Sequence, residues 1–317
     1  MTIVVTGASG QYGRLVADGL LREVAPSDLI LVTRSPDSLA DYSRLGCTVR
    51  YGDYDAPETL ADAVRGGEQM LLVSGTRVGR RVAQHGAAID AAVAAGVRRI
   101  VYTSFIGAGD PANHSEAVAD HRGTEALLRA APVAWTFLRN AQYADAVTDV
   151  MAPIALASGA MLSVAGDGEM GFVWRADCAA CAVAALLTDG HTACAYDITG
   201  PDLVSYREVA RLIEHHAGRP IRFEQTDEAG LYAMFDALGV PRAPVDGLVV
   251  GGTPWNSDDM VSFEAAVRDG RFAVRSDDVE RLTGRAPRSL AALFAAKAHE
   301  LTALAAFERA PTTMERS

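Results

Sequence analysis

The stretch VVTGASGQYGRLV, residues 4–16, decides the fold of this chain. A short apolar run from Met1 to Val5 ends at Thr6-Gly7. Glycines then fall at Gly7, Gly10 and Gly13, and an amphipathic segment, Gln11 to Leu21, begins at once. A strand that turns on glycines straight into a helix gathers bare backbone N–H groups and a positive helix end at one spot. That spot suits the pyrophosphate of a dinucleotide. In this reading Gly7 allows the tight turn, Gly10 lets phosphate approach the backbone, and Gly13 lets the helix pack on the strand. Thr6, Ser9, Gln11 and Tyr12 lie beside them in the same site.

Working outward, apolar β-rich runs recur at Ile3–Val5, Leu29–Val32, Thr48–Tyr51, Met70–Val73, Arg99–Thr103 and Ala134–Leu138. Helical periodicity fills the gaps at Gln11–Glu23, Pro36–Leu45, Pro57–Arg65, Arg80–Ala95 and Ser115–Ala130. Pro36 and Pro57 sit where helices start, and Gly46 and Gly96 where they stop. Continuous apolar strands imply a sheet covered on both faces, and strict alternation implies a doubly wound parallel sheet of the α/β, Rossmann-like class. The first 155 residues form this nucleotide-binding unit.

After about residue 140 the rhythm changes. Met161–Ala165 and Met170–Trp174, joined by Gly166-Asp167-Gly168, read as a hairpin. A helix from about Ala176 to Leu187 and a strand Ala195–Ile198 are expected to return, within residues 175–200, to the main sheet. From Ser205 helices dominate, with a short strand near Ile221–Glu224. Residues 156–305 thus read as a smaller, mainly helical lobe that walls a substrate cleft, and 306–317 as a loose tail.

Composition narrows the function. A net charge of −11 argues against nucleic acid, which demands a basic face. No run reaches the ~18 uninterrupted apolar residues of a membrane helix, and the start of the chain does not read as a signal peptide, so a cytoplasmic protein is expected. Four cysteines suit a reducing compartment. Cys178 and Cys181 form a CxxC, but with no second pair and no nearby histidine they read as small core residues rather than metal ligands. His85, His114, His215 and His216 show no metal spacing either, so no metal is expected.

The end of the second strand distinguishes the two nicotinamide cofactors. It reads LVTRS, residues 31–35, without the acid that would hold the adenosine ribose hydroxyls. Arg34 stands there instead and suits a 2′-phosphate, which points to NADPH.

These motifs resemble the NmrA-like branch of the atypical short-chain dehydrogenases. So do LLVSG (71–75), QHGAAIDAAVAAGVRRIVYTS (84–104), ADHRGTEALL (119–128), TFLRNAQY (136–143) and AGDGEMGFVWRAD (165–177). Within it the chain is most similar to the bacterial NADPH:quinone oxidoreductase type 2 group and the triphenylmethane-dye reductases, over about residues 1–300. The resemblance implies that Ser74, Gly75 and Thr76 lie along the cofactor, and that Arg175 also reaches it. It places Arg139, Asn140 and Tyr143 around the nicotinamide and substrate. Where relatives carry tyrosine after the arginine-alanine-aspartate this chain has Cys178, and Trp174 replaces a smaller residue.

A typical short-chain dehydrogenase protonates its substrate with a tyrosine activated by a lysine four residues on. That pair is impossible here. Of the 29 basic residues only Lys297 is a lysine, and Leu293 precedes it by four. The helix after the fifth strand offers His121 and Glu125, which at i, i+4 share a face, so that Glu125 could orient or charge the imidazole. Ser104, at the end of that strand, is a further hydroxyl for substrate.

Reducing an ordinary ketone leaves a basic alkoxide, for which a positioned acid is worth ~10²–10⁴-fold. A quinone leaves a far weaker base, and a cationic dye needs no proton. A small electrophilic, conjugated acceptor is therefore the expected partner, with Tyr143, Asn140 and His121 as catalytic residues and a homodimer as the assembly to test. Two alternatives stand beside it: a non-catalytic NADP(H)-binding redox sensor, and a reductase of a ketone, imine or activated alkene.

Overall fold

The computed structural model describes residues 1–245, 247–250 and 255–307. β1 (Ile3–Val5) runs into α1 (Gln11–Leu20). β2 (Leu29–Thr33), α2 (Ala40–Leu45), β3 (Thr48–Tyr51), α3 (Leu60–Val64), β4 (Gln69–Leu72), α4 (Arg81–Ala94), β5 (Arg99–Phe105), α5 (Glu116–Ala130) and β6 (Ala134–Asn140) continue the alternation. The short α6 (Ala144–Ala146), a π-helical turn at Val147–Met151, α7 (Ala152–Ser158), β7 (Ala160–Ser163) and β8 (Glu169–Gly171) follow. Then come α8 (Arg175–Leu187), β9 (Cys194–Ile198), β10 (Leu203–Ser205), α9 (Tyr206–Ala217), β11 (Arg222–Gln225) and α10 (Glu228–Ala237). The chain closes with α11 (Ser257–Arg268), α12 (Asp278–Thr283), α13 (Leu290–Ala296) and α14 (Ala298–Phe307). Residues 308–317, most of the expected tail, lie outside the described residues. No helix among the described residues is long and apolar enough to cross a membrane.

The main sheet has seven strands in the order β3-β2-β1-β4-β5-β6-β9, and every pair in it is parallel. This is the doubly wound, Rossmann-like arrangement expected, with β9 returning to its edge. The pleat explains why its strands are apolar throughout. Ile3 and Val5 enter one buried cluster and Val4 the other, and Leu29 and Leu31 part from Ile30 and Val32 in the same way. Strand order reverses between β1 and β4, which leaves a crevice at the carboxyl ends of the strands. The segments led by Pro36 and Pro57 open as 3-10 turns before α2 and α3 form, because proline supplies no N–H to a longer ladder.

One expectation is corrected. The hairpin does not form. β7 pairs in parallel with β11, and β8 pairs antiparallel with β10. The loop between β7 and β8 is wedged against α11: a Cβ on Gly168 would lie 2.3 Å from the Val267 carbonyl oxygen, so only glycine admits this approach. The two strands are thereby pulled towards different neighbours. The two halves pack continuously. One buried cluster runs from Ile3 and Val16 through Leu186 and Ile213 to Leu301 and Ala305, so both halves share a core.

Candidate active site

β1 ends at Val5, and its continuation is tied down by side chains. Thr6 Oγ1 donates to the Leu71 carbonyl at 3.0 Å and accepts from the Val73 N–H and from the Tyr54 hydroxyl. Gly7 then takes φ +59°, the left-handed region that glycine enters without strain. At Gly13 a Cβ would lie 2.4 Å from the Gly7 carbonyl oxygen, so the helix approaches the turn as closely as only glycine permits. The N-cap, Gly10, offers no side chain to the helix, and the first turn of α1 carries no acid. Its N–H groups are left for a ligand, and the helix dipole makes that ligand an anion.

A cleft of about 770 Å³ opens over this turn. Towards β2 it is lined by Ser9, Thr33 and the exposed Arg34, with Thr33 Oγ1 donating to Ser9 Oγ at 2.7 Å. Towards β5 and β6 it is lined by Ser74, Gly75, Thr76, Ser104, Phe105, His121, Asn140, Gln142, Tyr143 and Arg175. Two buried oxygens on its lining, Gln84 Oε1 and Asn140 Oδ1, accept no hydrogen bond. Orphaned acceptors, an uncapped helix end and an exposed arginine together fit an amide-bearing, phosphorylated dinucleotide.

On the β6 side, Asn140 Nδ2 donates to the Tyr143 hydroxyl at 3.3 Å, the Tyr143 ring stacks on Tyr12 with centroids 6.1 Å apart, and Arg175 lies over it at 5.3 Å. Asp145 holds Arg175 in place through its backbone N–H at 2.8 Å and its guanidinium at 3.4 Å. Burial, and then the neighbouring Cys178, push the Tyr143 phenol well above its ordinary value, and Asn140 and Arg175 pull it down by less. Tyr143 is therefore a hydrogen-bond donor rather than an acid. His121 is buried and stacked on Phe105, with ring centroids 5.7 Å apart. Burial and the Arg81 cation hold its imidazole well below the usual value, so it is neutral. Lys297 pairs with Asp149 and does not line the cleft.

Of the residues singled out from the sequence, the structure brings together Thr6, Gly7, Ser9, Gly10, Gln11, Tyr12, Gly13, Arg34, Ser74, Gly75, Thr76, His121, Asn140, Tyr143 and Arg175 on one lining. Arg139 does not join them. It forks onto Glu125, with Nε–Oε1 at 2.9 Å and Nη2–Oε2 at 2.8 Å, and lines a separate hollow of about 320 Å³ with Asp110, Asp197 and Arg271. Successive residues of a strand face opposite ways, so with Asn140 turned into the cleft Arg139 turns out of it. Glu125 likewise does not serve His121. Its oxygens take Arg139, Arg129 at 2.9 Å and Ser104 Oγ at 2.7 Å. Ser104 thus reaches the cleft with its hydroxyl already committed.

Neither departure from the family pattern reaches the lining. Cys178 is fully buried, and its carbonyl accepts from the Tyr12 hydroxyl, whereas Trp174 donates to the Ser289 carbonyl at 2.8 Å. Among the described residues, none beyond Arg175 lines the cleft. The C-terminal lobe acts behind it, through Phe263 and Phe272, which meet Phe105 at a tilt and edge-on. Sequence reasoning missed Tyr54, Asp55, Arg81 and Gln84, which complete the wall. The arginine-rich run 77–81 directly after the fourth strand was the available signal.

The NAD(P)H-binding family matches residues 7–189. Quinone oxidoreductase 2 of Escherichia coli K12 is 31% identical over 290 residues, covering 91% of this chain and 96% of that one. The crystal structure of the NADPH-dependent quinone oxidoreductase of E. coli complexed with NADPH superposes with a TM-score of 0.83 at 30% identity, over 93% of this chain and 99% of its own. The triphenylmethane reductase of Citrobacter sp., complexed with NADP(H), gives a TM-score of 0.79 at 26% identity, over 93% of this chain and 100% of its own.

Proposed function

Since the chain belongs to the NAD(P)H-binding family and is an oxidoreductase within it, we propose that it reduces a quinone or similarly conjugated electrophile with NADPH. One observation carries this reading. The β5–β6 side of the cleft holds neutral hydrogen-bond donors, Asn140, Tyr143 and His121, and no lysine-activated tyrosine. Such a site can bind and orient an acceptor and disperse charge, but it supplies no strong acid. The acceptor must then be one whose reduced form needs little help with its proton.

The bound dinucleotide supplies the hydride. The N–H groups at the start of α1 hold its diphosphate, Arg34 its 2′-phosphate, and Ser74 to Thr76 its middle. Asn140 and Tyr143 orient the acceptor, beside the buried Tyr12 ring and the half-buried Phe105. Solvent at the mouth provides the proton. A small electrophile as partner follows from the same geometry.

The test is loss of NADPH absorbance with a panel of quinones. Saturable turnover is expected. Tight NADPH binding without turnover of any acceptor would replace this reading with that of a redox sensor.

A further inference from the structure

Behind His121 lies a buried set of polar side chains that the reaction as described does not use. The Gly75 N–H donates to His85 Nε2 at 2.9 Å, and His85 Nδ1 lies 2.9 Å from Thr124 Oγ1. Thr124 Oγ1 itself donates to the Asp120 carbonyl at 3.0 Å, and the Tyr102 hydroxyl lies 2.7 Å from His121 Nδ1. His85, Tyr102 and Thr124 are all completely buried, and no solvent is at hand to satisfy an unmatched group.

The protons in this set can be placed by elimination. A backbone N–H can only donate, so His85 Nε2 carries a lone pair. Burial, and then the Arg81 cation, lower His85 to about 3, so the ring is neutral and its one proton sits on Nδ1. That proton goes to Thr124 Oγ1, whose own hydrogen is committed to Asp120. Tyr102 therefore meets a donor, not an acceptor, at His85 Nδ1, 3.5 Å away. Its nearest acceptor among the described residues is His121 Nδ1, 2.7 Å away, with Thr124 and Ser74 as further side-chain hydrogen-bond neighbours of the phenol. With the Tyr102 proton on this short contact to His121 Nδ1, the neutral ring of His121 carries its own proton on Nε2, which has no hydrogen-bond partner among the described residues, while the ring lines the cleft.

We propose that Gly75, His85, Thr124 and Tyr102 form a positioning relay that fixes His121 as the Nε2–H tautomer, an uncharged donor to the acceptor oxygen of the substrate. The inference rests on the quinone-reductase reading for its chemistry, though not for its geometry. As hydride adds to the acceptor, an electron pair moves onto the acceptor oxygen. The His121 N–H hydrogen-bonds to that oxygen and keeps its proton, and water delivers the proton that completes the hydroquinone. A neutral imidazole donor of this kind adds no positive charge that would repel a cationic acceptor, and it works across the whole neutral pH range.

The experiment is long-range proton–nitrogen NMR on protein labelled at histidine, paired with steady-state kinetics. In the wild type His121 is expected to show an unprotonated Nδ1 and a protonated Nε2, unchanged between about pH 6 and 8. In Tyr102→Phe, which keeps the buried ring, the Nδ1 signal is expected to move towards a mixture of tautomers. The kcat with a quinone should fall by about threefold or more, and the KM for NADPH should move by less than about twofold. An Nδ1–H tautomer in the wild type overturns the relay, as does a Tyr102→Phe spectrum identical to wild type. The expected tautomer with no turnover of any acceptor would uphold the relay and overturn the activity it is assigned to serve.

Discussion

Replacing Glu125 by glutamine separates a structural role for this residue from a catalytic one. Its carboxylate is 1% exposed and takes two hydrogen bonds from Arg139, whose side chain is 16% exposed, with Ser104 and Arg129 completing the set. Removing one member of a buried pair costs about 3–5 kcal/mol, because the other charge is left without compensation. Here the lower end applies. Arg139 also lines an open hollow beside Asp197, so water and a second carboxylate can partly take over. Glu125→Gln should therefore lose about 3 kcal/mol in urea unfolding, with a melting temperature lower by roughly 4–5 °C at this chain length. The pH dependence has a definite sign. Burial alone would raise the Glu125 carboxyl, but the hydrogen bonds from Arg139 and Ser104 outweigh it and the net shift is downward. The stabilisation is thus fully present above the unfolded carboxylate value, about 4.3, and is lost as pH falls through the lower folded value. The variant should lack that acid-limb loss, while its pH–rate profile for NADPH oxidation matches wild type. A loss below about 1 kcal/mol, or an altered pH–rate profile at unchanged stability, would refute the reasoning and return Glu125 to His121.

Three further predictions use other parts of the molecule. Arg34→Glu should weaken NADPH by tenfold or more, on the ~1.5–3 kcal/mol of a charge-assisted contact, while NADH binding measured by calorimetry hardly changes; equal losses would remove Arg34 from the 2′-phosphate. Tyr143→Phe removes a donor with a raised pKa, so turnover should fall by roughly tenfold with NADPH affinity intact and no shift of the pH optimum, whereas an unchanged rate would take Tyr143 out of the site. Glu264 is buried, and burial pushes its carboxyl to about 7 against the opposing hydrogen bonds from Ser163 and the backbone N–H groups of Val164 and Ala165. Its protonated form is the one the fold prefers, so that stability is present below about pH 4.3 and is lost as pH rises through 7. Glu264→Gln should flatten the decline in melting temperature between about pH 5 and 8, and a parallel curve would refute this.

The sheet was legible because each of its strands and helices is announced by local chemistry. Apolar β-branched runs such as Leu29–Thr33 alternate with periodic segments closed by glycine, and alternation itself dictates a parallel order. The nucleotide end of the site was legible for a related reason: Gly7 to Gly13 and Arg34 sit at positions set by that alternation. Pairing in the second half was not legible. Nothing in Met161–Ser163 says that its neighbour is Arg222–Gln225 rather than the next strand, since that choice depends on α11 packing against Gly168. The facing of Arg139 was legible in principle, from the two-residue period of β6. The partner of Glu125 was not, because helical spacing names its neighbours along α5 but not the strands beneath them.

The packing of Phe263 and Phe272 against Phe105 bears on how chains of this kind diversify. Their rings press on the cleft from outside its lining, at centroid distances of 6.0 and 5.8 Å. Drift in the distal half can therefore retune which acceptors fit without touching a residue that meets them. The same continuity of apolar packing forbids a modular route: transplanting a foreign distal half would cut through the interior and expose an unmatched seam, so new substrate ranges must arise by gradual substitution rather than by shuffling.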